Sequence, residues 1–238
     1  SSKQDVSGEY QVSETTAEVL SALQFADSFF PTGATSTSNG LEALVDDGVV
    51  DDPDSLERFI GGQLRWRWAP FERPFLVAAH RYHQNLQTVV LLDRRIHAHT
   101  LGMEARQGSI RTGKALLRMH AGIDTPGAVE YQDRVVAKSA FGHNVIVQGF
   151  VWGASNITTT KAELISAHTF CVTYLGAAIR LGIVGHQRAQ RILVSLQKEI
   201  GQLIKTPRTE VDHVTSFCPE QEVAAMRHEK LSSRLFLN

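Results

Sequence analysis

The stretch FGHNVIVQGFVWG, Phe141 to Gly153, decides the fold. Val145, Ile146, Val147 and Val151 are β-branched, and such residues are enriched in strands, so a short strand is one reading. The window around it, Ser139 to Thr160, holds no Asp, Glu, Lys or Arg, and this charge-poor context and the glycine spacing fit a buried helix equally well. It is also too polar for hydrocarbon, carrying His143, Asn144, Gln148, Asn156 and a threonine run. We read it as a buried core helix. No cleanly alternating strand occurs elsewhere, so the chain is predicted to be all-α. It is expected to be a single-domain, multi-helix bundle with charge-poor central helices near 141–155 and 164–182, surrounded by amphipathic ones.

Outward from this stretch, apolar residues recur at three- and four-residue steps. On the C-terminal side, Thr160 followed by Glu163 has the form of a capping box. It would open a helix with Leu164, His168, Cys171, Leu175 and Ala178 on one face. A later helix carries Ile192, Leu193, Leu196, Ile200 and Leu203. On the N-terminal side, Val89, Leu92, Ile96, His99 and Met103 form one stripe and Leu56, Phe59, Ile60 and Leu64 another. Asp52 is placed to cap the latter, with Pro53 at its first position. Val19, Leu23, Ala26 and Phe30 share one side of a helix over 15–29, and in the loop FFPTGATSTSNGLE, Phe29 to Glu42, Asn39 and Glu42 are spaced to cap the next helix. The predicted organisation is a flexible polar N-terminus (1–14), a helical bundle (15–205), and a linker with a C-terminal partner-docking tail (206–238).

The 238 residues are 42% hydrophobic, with Lys and Arg numbering 24 against 25 Asp and Glu. That is ample for a packed core, and it provides no global field that would favour nucleic acid or acidic lipid. Two cysteines, Cys171 and Cys218, are too few and too far apart for a disulfide scaffold and suit a reducing, cytoplasmic setting. The opening residues contain no secretory core and no arginine.

GSIRTGKALL, Gly108 to Leu117, approaches a phosphate-binding loop but has Ala115 where the metal-binding hydroxyl belongs, and no strand precedes it. It reads as a polar helix. His80 and His83 can share a helical face, but no Cys, Asp or Glu completes a tetrahedral set, and His97 and His99 would diverge on a helix. No nucleophile elbow, zinc-protease helix or dinucleotide fingerprint occurs, so no catalytic residue, metal site or bound cofactor is predicted. The tail is richer. Arg227, His228, Glu229 and Arg234, interleaved with Met226, Leu231, Leu235 and Phe236, combine directional polar groups with apolar anchors, as a docking segment does.

Five segments in order resemble the family of the urease accessory protein UreF. They are LQFADSFFPTGATSTSNGLE, EARQGSIRTGKALLRM, FGHNVIVQGFVWG, GAAIRLGIVGHQRAQRIL and AAMRHEKLSSRLF. The resemblance implies a non-enzymatic helical protein that forms a homodimer, binds a UreD-type (UreH-type) accessory protein, recruits the GTPase UreG and helps insert nickel into apo-urease. Nickel and GTP would be handled by partners, and no nucleic acid or membrane would be involved. By matching position, Met226, Arg227, His228, Glu229, Ser233, Arg234, Leu235 and Phe236 would bind the partner. Ser36, Ser38, Glu42, His143 and Arg180 would be structural or interface groups. Thr35, Thr37 and Ser232 replace aromatics usual in the family, which removes anchors of the kind that dominate interfaces. Two other readings stay open: a nickel carrier using its own histidines, and a helical enzyme with a polar pocket at His143 and Arg180.

Overall fold

The computed structural model describes residues 16–27, 38 and 40–215, and no strand occurs among them. The helices are α1 (Thr16–Ala26), α2 (Leu41–Asp46), α3 (Pro53–Gln63), α4 (Arg73–Arg81), α5 (Leu86–His99), α6 (Met103–Gly122), α7 (Ala128–Val136), α8 (Asn144–Ala154), α9 (Thr159–Arg180) and α10 (His186–Lys205). A π-helical segment, Leu64–Glu72, joins α3 to α4, and a 3-10 turn, Val211–His213, follows α10. The chain is an all-α bundle, as its apolar periodicity predicts.

The deciding stretch is α8, and every residue from Val145 to Gly153 is buried. Glycine within a helix costs about 1 kcal/mol relative to alanine, so its use here needs a reason. Close packing supplies it. A Cβ on Gly149 would overlap the carbonyl oxygen of Leu76 in α4, and one on Gly113 of α6 would overlap the carbonyl oxygen of Gly142. The glycines let α4 and α6 approach the α8 region backbone to backbone.

Two groups of buried side chains result. Phe75, Leu76, Leu116, Tyr131, Phe150 and Trp152 fill the space among α4, α6, α7 and α8. Leu56, Ile60, Leu64, Trp68, Tyr174 and Leu196 fill that among α3, the π segment, α9 and α10. The groups are tied together by polar contacts: Trp68 Nε1 donates to Ser166 Oγ at 3.2 Å, and Ser166 Oγ donates to Gln148 Oε1 at 3.2 Å. Among the described residues α9 alone is long and apolar enough to cross a membrane, and more than half of its apolar window is buried within the bundle.

The π segment has a cause in two prolines. Pro70 and Pro74 lack N–H groups and stand four apart, so the ordinary helical ladder fails twice in adjacent turns. The backbone widens, and the Arg73 N–H reaches back five residues to the Trp68 carbonyl. Pro74 has no N–H to offer the Pro70 carbonyl; the Thr215 N–H bonds it instead, at 3.3 Å.

Several local expectations are corrected. In α1, Val19, Leu20 and Leu23 face solvent while Phe25 is buried. Glu18 sets that rotation, since it accepts from the Thr158 N–H at 3.0 Å and pairs with Lys161. The cap of α2 is Gly40 at φ 83, and the Leu41 N–H bonds the Ser38 carbonyl; Asn39 lies outside the described residues. Helix α9 starts at Thr159 behind Thr158, so Thr160 and Glu163 form no capping box, and Leu164 is exposed. The stripe Val89 to Met103 is broken at Thr100–Gly102, which leaves His99 and Met103 exposed at the ends of two separate helices. The Asp52 cap on Ser55 and Pro53 at the first position are as expected, and Gly108–Leu117 is helical within α6.

Candidate functional site

Asp93 stands on the buried side of α5, between Val89 and Ile96, and is fully buried. A carboxylate there needs donors. It accepts the N–H groups of Phe141, Gly142 and His143 at 2.6, 2.8 and 2.8 Å. These amides belong to the turn that leads into α8 and to its N-cap residue, His143, whose own side chain caps nothing; the first helical amide, of Asn144, donates instead to Ser109 Oγ of α6 at 3.2 Å. Burial raises the Asp93 pKa, and the three amide bonds hold that rise back.

His143 is fully buried beside this carboxylate. Its Nδ1 lies 3.1 Å from Ser109 Oγ in α6 and its Nε2 3.0 Å from His97 Nδ1 in α5. His97 in turn stacks on Phe141, ring centres 3.6 Å apart. Burial, with the charges of His97 and Arg106, lowers the His143 pKa to about 3, so the ring is neutral. The unit locks α5, α6 and α8 at one point, with both ring nitrogens engaged. Sequence reasoning singled out His143 but passed over Asp93 and Ser109. The available signal was Asp93 itself, an acid at helical spacing between two core residues.

The second polar centre is Arg73, Glu163 and Arg208. Arg73 Nε donates to Glu163 Oε1 at 2.7 Å, and the two side chains are 2% and 0% exposed. The rest of the Arg73 guanidinium bonds the carbonyls of Leu203 and Ile204 at 2.9 and 3.0 Å, closing the C-terminus of α10. Arg208 from the linker donates to both oxygens of Glu163, at 2.9 and 2.7 Å. Burial pushes the Glu163 pKa up, but the bonds from Arg208 and Arg73 outweigh it and leave it lowered. Arg95 pairs with Asp212, and Thr215 bonds Pro70, so the linker is held to the bundle along 208–215.

The predicted site residues fall into three groups. Ser38, Glu42 and His143 are buried, whereas Arg180 is exposed at the last position of α9. His143 has no solvent-facing surface, so it shares no open pocket with Arg180, and the enzyme reading loses its site. Ser36 and the tail positions Met226, Arg227, His228, Glu229, Ser233, Arg234, Leu235 and Phe236 lie outside the described residues.

The histidine pair is also accounted for. His80 Nε2 bonds the Ile157 carbonyl at 2.7 Å and must therefore donate, which leaves Nδ1 to accept from Thr159 Oγ1 at 3.2 Å. His83 Nδ1 donates to the His80 carbonyl at 2.8 Å. Among the described residues no three His, Cys, Asp or Glu side chains are grouped to hold a metal ion.

Residues 50–197 match the family model described as UreF. The chain is 30% identical over 229 residues to a protein of Bacillus sp. (strain TB-90) named urease accessory protein UreF, covering 92% of this chain and 99% of that one. A protein of the same name from Trichodesmium erythraeum is 30% identical over 233 residues, covering 93% and 97%. One from Yersinia enterocolitica is 28% identical over 226 residues, covering 93% and 99%.

Proposed function

The chain belongs to the UreF family, whose members are non-enzymatic accessory proteins of urease maturation, and from that premise we propose that it acts as a scaffold. In this reading it bridges a UreD-type (UreH-type) protein and the GTPase UreG as a homodimer, in the cytoplasm, so that nickel is inserted into apo-urease. Nickel is the cargo of the assembly, and GTP is bound and hydrolysed by UreG. Only a surface that holds one nucleotide state of UreG better than the other shifts that partner's cycle.

The observation that carries the reading is how the buried polar groups are used. Asp93, His143 and Glu163 are committed to helix ends and linker, which leaves them no free ligand or acid–base role. The linker is pinned by Arg208, Asp212 and Thr215, so the signature Met226 to Phe236 follows from a fixed root on the bundle. A docking segment with an anchored root loses less freedom on binding than one on a free linker.

The test is activation. Urease subunits are co-expressed in nickel medium with the other accessory proteins of the same source, with and without this chain. The expected result is nickel-loaded, active urease only when the chain is present. Equal nickel content and activity without it would contradict the proposal.

A further inference from the structure

The lysine of GSIRTGKALL has no role in the functions assigned so far, and its surroundings are distinctive. Lys114 and Arg118 of α6 line an open cleft of about 210 Å³ between α6 and α7, together with Lys138 just past the end of α7. Leu117 and Val135, both buried, make its floor, and no acidic residue lines it. None of the three cations is in an ion pair among the described residues. Arg118 and Lys138 sit near helix C-termini, where a cation is favoured anyway. Lys114 lies two turns inside α6, and that explanation does not reach it.

One further feature bears on what the cleft takes. On the α7 side the rim is mixed: Gln132 and Val136, the latter 74% exposed, line it, and the exposed Asp133 and Val129 continue that stripe away from the cleft. Three cations around an apolar floor, with one exposed valine at the rim, form the pairing that seats an acidic side chain flanked by an apolar one. The volume is below the roughly 300–1,000 Å³ of a typical small-molecule pocket, which suits one inserted side chain.

Resting on the scaffold reading, we propose that the α6–α7 cleft is a docking site for an acidic, partly apolar segment of a protein partner in the maturation complex. A carboxylate enters between Lys114, Arg118 and Lys138, its aliphatic stem lies on Leu117 and Val135, and a neighbouring apolar side chain covers Val136.

The test is the dissociation constant for the UreD-type protein and for UreG, singly and together, measured by interferometry at low and high salt. It compares the unaltered chain, the double variant Lys114→Glu/Arg118→Glu, and Val136→Glu. All three positions are exposed, so circular dichroism and the thermal midpoint should be unchanged. The expected result is at least about a tenfold loss of affinity for one partner in each variant. The salt dependence should shrink in the double variant, and an acid-to-lysine change on that partner should restore binding to it. Unchanged affinity in both variants, with the complex intact, overturns the cleft and leaves the scaffold reading standing. No complex with the unaltered chain overturns both. Saturable binding of inorganic pyrophosphate that the double variant abolishes, with partner affinity unchanged, makes the cleft a small-anion site and overturns docking.

Discussion

Arg73 and Glu163, ninety residues apart, form an ion pair at 2.7 Å that is almost wholly sealed from water. Removing one partner from such a pair strands the other charge. Glu163→Gln is expected to destabilise the chain by about 3–5 kcal/mol, read as a fall in the urea midpoint at unchanged slope. The apolar double replacement Arg73→Met/Glu163→Leu should cost less than Glu163→Gln alone. A larger cost for the double variant would mean that the pair, or the bonds from Arg73 to the α10 carbonyls, adds stability beyond mutual neutralisation.

Arg208 shares Glu163 but is 42% exposed. Arg208→Ala is expected to change global stability by about 1 kcal/mol or less while speeding amide exchange along 206–215. Unchanged exchange there would show that Asp212 and Thr215 hold the linker without it.

Gly113 and Gly62 are both helical, yet alanine should act in opposite directions. At Gly62 a Cβ meets nothing within 4 Å, so Gly62→Ala should stabilise by about 0.5–1 kcal/mol. At Gly113 it would strike the Gly142 backbone, and Gly113→Ala should lower stability by about 1–3 kcal/mol. Thermal midpoints of the two variants decide the matter.

Acid should weaken the fold well above the carboxylate range. His143 and His120 are lowered from 6.5 to about 3 and about 4, chiefly by burial. The folded chain therefore binds fewer protons than the unfolded chain below pH 6.5. The stability these groups confer is complete above that pH and is lost as pH falls towards 4 and 3. At pH 5 each is expected to cost about 2 kcal/mol relative to pH 7.5, and His143→Gln should flatten the profile of the urea midpoint against pH. Asp93, whose pKa is raised, offsets part of the loss at the acid end. A midpoint that does not change between pH 7.5 and 5 would contradict the neutral buried rings.

The helices were legible because their spacing is dictated by the residues that pack: Leu56, Ile60 and Leu64, or Ile192, Leu196 and Ile200, are buried as their periodicity requires. Helix ends were less legible. Thr160 and Glu163 have the form of a capping box, but the form says nothing of Arg73, whose need for a counter-charge claims Glu163 from a distant element. The face of α1 was misassigned because Val19 and Leu23 are as apolar as core residues, while the contact that turns the helix is polar, between Glu18 and Lys161. Asp93 escaped notice because its partners are backbone amides of a turn, and the sequence does not reveal which turn amides a fold leaves in need of an acceptor.

Nickel affinity separates a scaffold from a carrier. His80 and His143 have both ring nitrogens engaged. Equilibrium dialysis of the isolated chain is expected to find well under one tightly held nickel ion per chain. Stoichiometric binding that survives a competing chelator would instead favour a carrier.

The most direct test of the scaffold is light-scattering mass after gel filtration of the chain mixed with the UreD-type and UreG proteins of its own source, intact and with residues 219–238 deleted. The intact chain should elute in a species whose mass requires all three proteins, and the deletion should abolish that species while the bundle stays folded. An intact, folded chain that elutes alone, or a deletion that assembles as well as the full chain, would contradict the account.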